Sequence, residues 1–195
     1  QENEDHIRIL YHRAAQLVTI TIAPLVIMTV LFAEEILYIW SQNISLAASV
    51  APILIVAMIG GFLNGMMHVP YSLQLAHGWT GLTLRVNFLS IFFTIPALLF
   101  LVPIYGALAA AYVWATVNFF SLLITIHFLH NRFLKADKWK WYALDVFMPT
   151  FPALAFALIA YAFKPLETSN SLIWVVFITL TFLTCSAIAL MTAGY

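Results

Sequence analysis

The chain has 195 residues and a net charge of zero, with 64% hydrophobic and only 8% charged residues. Soluble domains have roughly 45–50% apolar and about 25% charged residues, so a soluble fold of this length could not bury all this apolar surface in one core. The composition therefore predicts an integral membrane protein, and the neutral charge excludes a basic surface that would attract nucleic acid.

Six runs of the sequence are apolar and long enough to cross a membrane as helices. A spanning helix needs about 20 mostly apolar residues, because each residue rises about 1.5 Å across roughly 30 Å of hydrocarbon. The runs that meet this requirement are 14–33, 46–73, 86–102, 107–129, 143–163 and 172–193. The sequence therefore predicts an all-α bundle of six transmembrane helices.

The polar segments between these runs divide the chain into four parts. We expect residues 1–13 to form a cytoplasmic loop, 14–130 a four-helix core, 131–142 a basic cytoplasmic loop, and 143–195 a terminal transmembrane hairpin. The chain begins at Gln1 and has no signal peptide, so we expect it to be part of a longer protein. The single Cys185 excludes an internal disulfide framework and a cysteine-based metal cluster.

The basic residues orient the bundle. With six spans, seven of the eight Lys and Arg residues fall on one side, namely Arg8, Arg13, Arg85, Arg132, Lys135, Lys138 and Lys140. The loops on the other side carry only Lys164. Because Lys and Arg concentrate in cytoplasmic loops, we expect both ends of the chain to lie in the cytoplasm.

The stretch "PYSLQLAHGWTGLTLRVN", residues 70–87, connects the second and third runs. Pro70 is expected to bend the exit of the second span, because proline cannot continue the hydrogen-bond pattern of a helix. Gly78 and Gly81 permit a turn, and Asn87 begins the next helix. The stretch therefore predicts a cytoplasmic helix–loop–helix connection.

Small residues recur at helical spacing in two places. Gly61 and Gly65 are four residues apart, as are Gly106 and Ala110, so each pair lies on one helix face. Small residues at this spacing let helix backbones approach closely, so we expect packing positions. The alternative is a flexible hinge at Gly60 and Gly61, where the long second run could break.

A few polar side chains fall inside the apolar runs. Polar groups are costly in hydrocarbon and usually face the bundle interior or a water-filled cavity. Asn64 and His68 are four residues apart and share a helix face. The candidates for lining a cavity are Asn64, His68, Asn87 and Asn118. Hydrogen bonding between helices, without any bound substrate, is the alternative.

The acidic and histidine residues give weaker signals. Glu34, Glu35 and Asp145 fall near the ends of spans, where we expect them to be solvated. His127 and His130 have helical spacing, but a metal site would need further ligands, and no carboxylate is close in sequence. The sequence also lacks a Gly-rich phosphate loop, a nucleophile elbow and paired carboxylates. We therefore expect no catalytic residues, no metal and no cofactor.

Three pieces of the sequence, in this order, resemble one protein family. They are "LFAEEILYIW", "YSLQLAHGWTGLTLRVN" and "LVPIYGALAAAYVWATVN", the last containing a Pro-x-Tyr-Gly-Ala turn before a helix of small residues. Together they resemble polysaccharide flippases of the O-antigen and teichuronic-acid type, in the multidrug/oligosaccharidyl-lipid/polysaccharide exporter superfamily. The resemblance covers residues 8–130, and the last two spans match by hydropathy alone. The matching positions are Gln74, Gly78, Asn87, Pro103, Tyr105, Gly106, Ala107, Ala109 and Ala110.

The resemblance implies a transporter of two related lobes, of which this chain would be most of the C-terminal lobe. It implies that the protein moves undecaprenyl-pyrophosphate-linked oligosaccharide across the bacterial inner membrane by alternating access. The implied partners are this lipid-linked oligosaccharide, membrane lipids, the N-terminal lobe and polysaccharide-assembly proteins. Arg85 is then the candidate for binding the diphosphate, and a plain topological anchor is the alternative.

Three other functions compete with the flippase. An ion-coupled drug or metabolite exporter of the same superfamily would need a buried carboxylate, which we do not expect in these six spans. A membrane-embedded glycosyl- or acyltransferase would need a catalytic His/Asp pair or a metal-binding Asp motif, and neither is visible in the sequence. A scaffold subunit without transport activity would have no solvated cavity.

Overall fold

The computed structural model describes residues 2–165 and 171–193, and these residues form helices joined by short turns. The described segments contain no strand, and the predicted all-α class is confirmed. The elements are α1 Glu2–Leu31, α2 Ala33–Ser41, α3 Ile44–Gly65, α4 His68–Ala76, α5 Gly81–Tyr105, α6 Ala107–Arg132, α7 Lys138–Lys140, a π-helical segment Trp141–Phe147, α8 Met148–Ala162 and α9 Ser171–Thr192.

Six helical stretches of the described chain are long and apolar enough to cross a membrane, as predicted. They are Asp5–Leu31, Ile44–Ala76, Gly81–Tyr105, Ala107–Arg132, Lys138–Ala162 and Leu172–Thr192. The protein is therefore a multi-pass membrane protein. Gln1 of the predicted N-terminal loop, and residues 166–170 and 194–195 of the predicted terminal hairpin, lie outside the described residues.

The N-terminal segment is helical, which corrects the loop predicted at residues 1–13. α1 begins at Glu2 and continues without interruption into the first span. Ile7 and Tyr11 are four residues apart and pack into the same apolar core. The loop prediction was wrong because it was based on the charged residues of this segment and did not take into account the apolar helix face between them.

The predicted basic loop at residues 131–142 is shorter than expected. α6 continues to Arg132, and the next helical stretch begins at Lys138. In the turn between them, Leu134 and Asp137 are both buried. The side chains of this turn therefore hold it against the bundle.

The second span breaks at Met66 and Met67, not at the glycine pair considered as a hinge. α3 runs through Gly60 and Gly61 as regular helix, so the second run does not break at these residues. The helix restarts two residues before Pro70, which is buried in the first turn of α4. Because proline has no backbone N–H, it cannot bond the carbonyl four residues earlier, at Met66.

Two of the candidate packing glycines do permit close helix contacts. A Cβ atom at Gly60 would lie 2.5 Å from Cδ1 of Trp114, and one at Gly65 would lie 2.8 Å from Cδ1 of Ile22. A Cβ at Gly61 would meet nothing within 4 Å. The packing positions are therefore Gly60 against α6 and Gly65 against α1, and Gly61 was wrongly predicted to be one.

Gly106 has a role in a turn and not in close packing. It separates α5 from α6 with a φ of 67°, a left-handed conformation that favours glycine. Its N–H donates a hydrogen bond of 2.8 Å to the carbonyl of Val102 and so caps α5. A Cβ here would meet nothing within 4 Å, which corrects the predicted packing role.

α1 is the central helix of the bundle, because it contacts α3, α8, α9 and the π-helical segment. α5 packs mainly against α6 and exposes a row of large apolar side chains to the surroundings. Where α8 packs against α9, Ala153 and Ala157 of α8 and Cys185 and Ala189 of α9 are all fully buried in one apolar core. Small side chains at four-residue spacing let these two helices approach closely.

Side-chain contacts join three connections at one end of the bundle, which we call the basic end. The Arg132 guanidinium lies 4.6 Å from the centre of the Trp79 ring, and Nε of Arg8 lies 2.8 Å from Oδ2 of Asp137. These contacts link the start of α1, the α4–α5 connection and the α6–α7 connection. Seven of the eight Lys and Arg residues belong to these three segments or to the helix turns beside them.

Candidate functional site

A polar cavity of about 430 Å³ lies where α3 and α4 face α5 and α6. We call it the polar groove. Its polar and aromatic side chains are Asn64, His68, Tyr71 and Gln74 from α3 and α4, Thr83, Asn87 and Ser90 from α5, and Trp114, Asn118, Ser121 and Thr125 from α6. Among the described residues, no Lys, Arg, Asp or Glu lines it.

The helix spacing explains why these side chains meet. On α6, Asn118, Ser121 and Thr125 follow one another at intervals of three and four residues, which places them on one face. The break between α3 and α4 lies between Asn64 and His68, so both segments point a polar side chain into the groove. The irregular backbone therefore borders a cavity, as broken helices in membranes generally do.

Hydrogen bonds fix part of the lining. The Thr83 hydroxyl donates to Oε1 of Gln74 at 2.8 Å, and the hydroxyls of Ser90 and Ser121 lie 3.1 Å apart. The Asn118 amide donates to the carbonyl of Trp114 at 2.8 Å. Gln74 is 1% exposed, and its Nε2 has no hydrogen-bond partner among the described residues. That amide nitrogen is therefore a buried donor beside the cavity.

The groove unites four of the five candidate binding residues, but Arg85 lies outside it. Asn64, His68, Asn87 and Asn118 all line the cavity. Arg85 is exposed on α5, two residues from Asn87, and does not belong to the lining. Its side chain therefore does not line the groove to which Asn87 belongs.

Several lining residues were missed in the sequence, although some had a usable signal. Ser121 and Thr125 share a helix face with Asn118, and Ser90 follows Asn87 at a three-residue interval. Extending the same face along each helix would have found them. Thr83 lies in the turn predicted between the second and third spans. Only the structure shows that α5 begins at Gly81, before the predicted start of the third span, and therefore includes Thr83.

A second polar site lies at the basic end, between α1 and the π-helical segment. We call it the buried polar cluster, and it consists of Arg8, His12, Gln16, Asp137, Lys140 and Asp145. Asp137 and Asp145 are each 1% exposed. Nδ1 of His12 and Nε2 of Gln16 contact the two oxygens of Asp145, the latter at 3.0 Å.

The other carboxylate of the cluster is held by cations. Lys140 Nζ lies 3.2 Å from Oδ1 of Asp137, and Arg8 Nε lies 2.8 Å from Oδ2 without hydrogen-bond alignment. The second nitrogen of His12 faces the same Oδ2 at 3.8 Å. The His12 imidazole thus stands between two buried carboxylates.

This cluster corrects the expectation that Asp145 is solvated at the membrane interface. Asp145 lies on the buried side of the π-helical segment, as does Trp141. Its partners His12 and Gln16 are 133 and 129 residues away in sequence, so their proximity could not be inferred from local pattern. A buried carboxylate is therefore present in the fifth span.

The two histidines considered as a metal pair do not form one. His130 is buried and its Nδ1 contacts the carbonyl of Ile126 at 2.9 Å, whereas His127 is exposed and contacts Asn131. Within residues 2–165 and 171–193, no group of three or more His, Cys, Asp and Glu side chains could hold a metal ion.

The fold and the two sites together define a multi-pass, all-α membrane protein with a neutral polar groove and a buried charged cluster. No family model, curated protein or solved structure matches the chain. The resemblance to polysaccharide flippases therefore stays a prediction, and the proposed function is based on the chemistry of the groove.

Proposed function

We propose that this chain is most of the C-terminal lobe of a transporter that moves lipid-linked oligosaccharide across the bacterial inner membrane by alternating access. The observation that carries the proposal is the polar groove within a membrane-spanning bundle. A sugar cannot cross hydrocarbon unaided, because its hydroxyl groups would lose their hydrogen bonds to water. A polar cavity between helices provides replacement partners.

The lining chemistry suits a neutral, hydroxyl-rich solute. Amide and hydroxyl side chains both donate and accept hydrogen bonds, as sugar hydroxyls do. Tyr71 and Trp114 add aromatic surface against which the apolar face of a sugar ring can pack. The absence of charged side chains from the described lining argues against a groove specialised for an ionic cargo.

The diphosphate of the carrier lipid needs a cation outside the sugar groove. Arg85 is suited by position, because it follows the groove residue Thr83 on α5 and precedes Asn87. The basic end, with Arg8 and Arg132, would face the cytoplasm under the positive-inside rule. In this arrangement the diphosphate is bound at the cytoplasmic side while the sugars enter the groove.

A variant that fills the groove tests the proposal. Asn87→Trp should block sugar entry and reduce surface polysaccharide at least about tenfold, while leaving the fold intact because Asn87 is exposed. The measurement is surface polysaccharide, together with lipid-linked repeat units in the cytoplasmic leaflet, in a strain expressing only the variant. The repeat units should accumulate inside.

Phe88→Trp is the matched control, because Phe88 is the next residue of α5 and is exposed outside the groove. It should export normally. Normal export by Asn87→Trp, at expression equal to that of the control, would remove the groove from the mechanism. Normal export in a strain without the gene and without a redundant flippase would end the proposal itself.

A second candidate is an ion-coupled drug or metabolite exporter of the same superfamily. The specific observation in its favour is the buried Asp145, because such an exporter needs a buried carboxylate and the sequence had suggested none. The neutral lining of the groove favours the oligosaccharide. Export of a cationic dye that is lost in Asn87→Trp, with unchanged polysaccharide, would decide for this second candidate.

A further inference from the structure

We propose that His12 and Asp145 form a binding site for one exchangeable proton, and that this proton controls the contact between α1 and the π-helical segment. The inference follows from the contacts of the buried polar cluster and does not depend on which cargo the protein carries. The ligand of this site is a proton and not a metal cation.

The carboxylate oxygens of the cluster already have nitrogen partners. One oxygen of Asp145 accepts from Gln16 and the other contacts His12, while both oxygens of Asp137 face Lys140 and Arg8. A sodium ion would need several free oxygen ligands together, whereas in the described cluster only Oδ2 of Asp137 and Oε1 of Gln16 have no hydrogen-bond partner. A proton needs only the imidazole and one carboxylate oxygen.

The position of the imidazole favours this proton. With the proton bound, His12 is an imidazolium whose two N–H groups face Asp145 and Asp137. Without it, the neutral imidazole has a single N–H, which can serve only one of Asp145 and Asp137, and its other nitrogen presents a lone pair to the second carboxylate. A buried carboxylate that loses its charged partner is strongly destabilised.

The site is buried but can exchange protons with solution. A cavity of about 240 Å³ at the basic end is lined by Arg8, His12, Arg13, Gln16, Asp137 and Lys140. Oε1 of Gln16 and Nε2 of His12 are buried and have no hydrogen-bond partner among the described residues. Because the His12 side chain is 19% exposed, water in this cavity reaches the imidazole, although the Nε2 atom itself is buried.

The proton links two parts of the bundle. His12 and Gln16 belong to α1, the central helix, whereas Asp145 belongs to the π-helical segment that leads into α8. Segments of π-helix are rare, and those that occur are frequently at functional sites. Removing the proton should loosen this contact and expose the first turns of α1 to water.

Several elements around the site carry charged or titratable side chains. The charged and titratable side chains facing it are Arg8, Tyr11 and Arg13 on α1, His130 on α6, Asp137 in the following turn, Lys138 and Lys140 on α7, and Tyr142 on the π-helical segment. His130 and Tyr11 pack edge to face at 5.7 Å, beside the cluster. The test must therefore separate His12 from the other imidazoles.

Nitrogen NMR of histidine-labelled wild-type protein in lipid nanodiscs reads each imidazole directly. We expect His12 to change protonation state in one step as the pH is raised, coincident with faster hydrogen exchange of the α1 amides around it. Loss of the contact should increase that exchange by at least about tenfold. A His12 signal that keeps one protonation state between about pH 5 and 9 would overturn the proposal.

Two variants separate this site from general effects of pH. His12→Asn keeps a hydrogen-bond donor but cannot titrate. In this variant the hydrogen exchange of the α1 amides should no longer increase in a step as the pH is raised. His127→Asn removes an exposed imidazole and should behave like the wild type. If His12→Asn keeps the wild-type step, the site is refuted. If His12→Asn does not fold, the NMR titration of the wild type decides alone. A His12 signal that responds to sodium at fixed pH would show that the site binds a metal cation and not a proton.

Discussion

The polar groove and the buried polar cluster differ in the charge of their buried side chains and in how far each site reaches water. In the groove, Asn87 and His68 are exposed, whereas Gln74 and Asn118 are buried and neutral. In the cluster, Asp137 and Asp145 are almost completely buried and each has nitrogen partners. Polar residues in a membrane bundle can thus provide either a binding surface or a fixed contact between helices.

The difference predicts that the cluster supports the fold and that the groove does not. Asp145→Ala removes one partner of a buried contact and leaves His12 and Gln16 without their acceptor. We expect a loss of about 3–5 kcal/mol in the free energy of unfolding. Asn87→Ala should change the same quantity by no more than about 0.5 kcal/mol. Both are measured by reversible denaturation in detergent micelles.

Equal losses in the two variants would show that burial does not distinguish the two sites.

A double variant, His12→Leu with Asp145→Leu, separates the charged contact from the isolated buried charge. Because it leaves no unpaired charge at these two positions, it should recover much of the stability that Asp145→Ala loses. A double variant as unstable as the single one would mean that the charged contact itself, and not the isolated buried group, determines the loss.

The packing of α3 against α6, beside the groove residue Trp114, gives the next largest expected effect. Gly60 lies against Trp114, and a Cβ atom here would come within 2.5 Å of the indole ring. Gly60→Ala should separate α3 from α6 or displace the ring, at a cost of about 1–3 kcal/mol. Gly61→Ala is the matched control, because its Cβ would meet nothing within 4 Å. A stability loss in the control equal to that of Gly60→Ala would contradict this account.

Much of the architecture follows from sequence, but the sites follow only in part. The six spans are predictable because membrane thickness sets a length that each apolar run either meets or does not. The break after Gly65 was misplaced at Gly60 and Gly61, since a glycine pair in hydrocarbon can pack against a neighbour as readily as it can bend. The neighbouring helices decide between packing and bending, and the local sequence does not show which helices these are.

The same limit separates the two sites. Asn64 and His68 could be assigned to one face because they are close in sequence, and both do line the groove. The contact of His12 with Asp145 joins residues 133 positions apart, and no helical period connects them. Asp145 therefore looked like a solvated residue at the end of a span until the packing of α1 against the π-helical segment was known.

The smallest expected effect concerns an ion pair at the end opposite the basic end. Nζ of Lys164 donates a hydrogen bond of 2.8 Å to Glu35, but a third of the Lys164 side chain is exposed. Partial burial lowers the pKa of Lys164, but the hydrogen bonds to Glu35 and Tyr161 and the charge of Glu35 outweigh this, so the pKa is raised. A partly exposed pair at the surface of this kind contributes about 1 kcal/mol or less.

Lys164→Gln should therefore destabilise the protein by less than about 1 kcal/mol, measured by the same denaturation experiment. Because the pKa of Lys164 is raised in the folded state, its contribution is complete below the ordinary lysine pKa and is lost as the pH rises through the raised value. The variant should lack this alkaline loss. Lys135→Gln, an exposed lysine at the basic end, is the control and should change nothing. A loss in Lys164→Gln as large as that in Asp145→Ala would show that burial is not what distinguishes the two contacts.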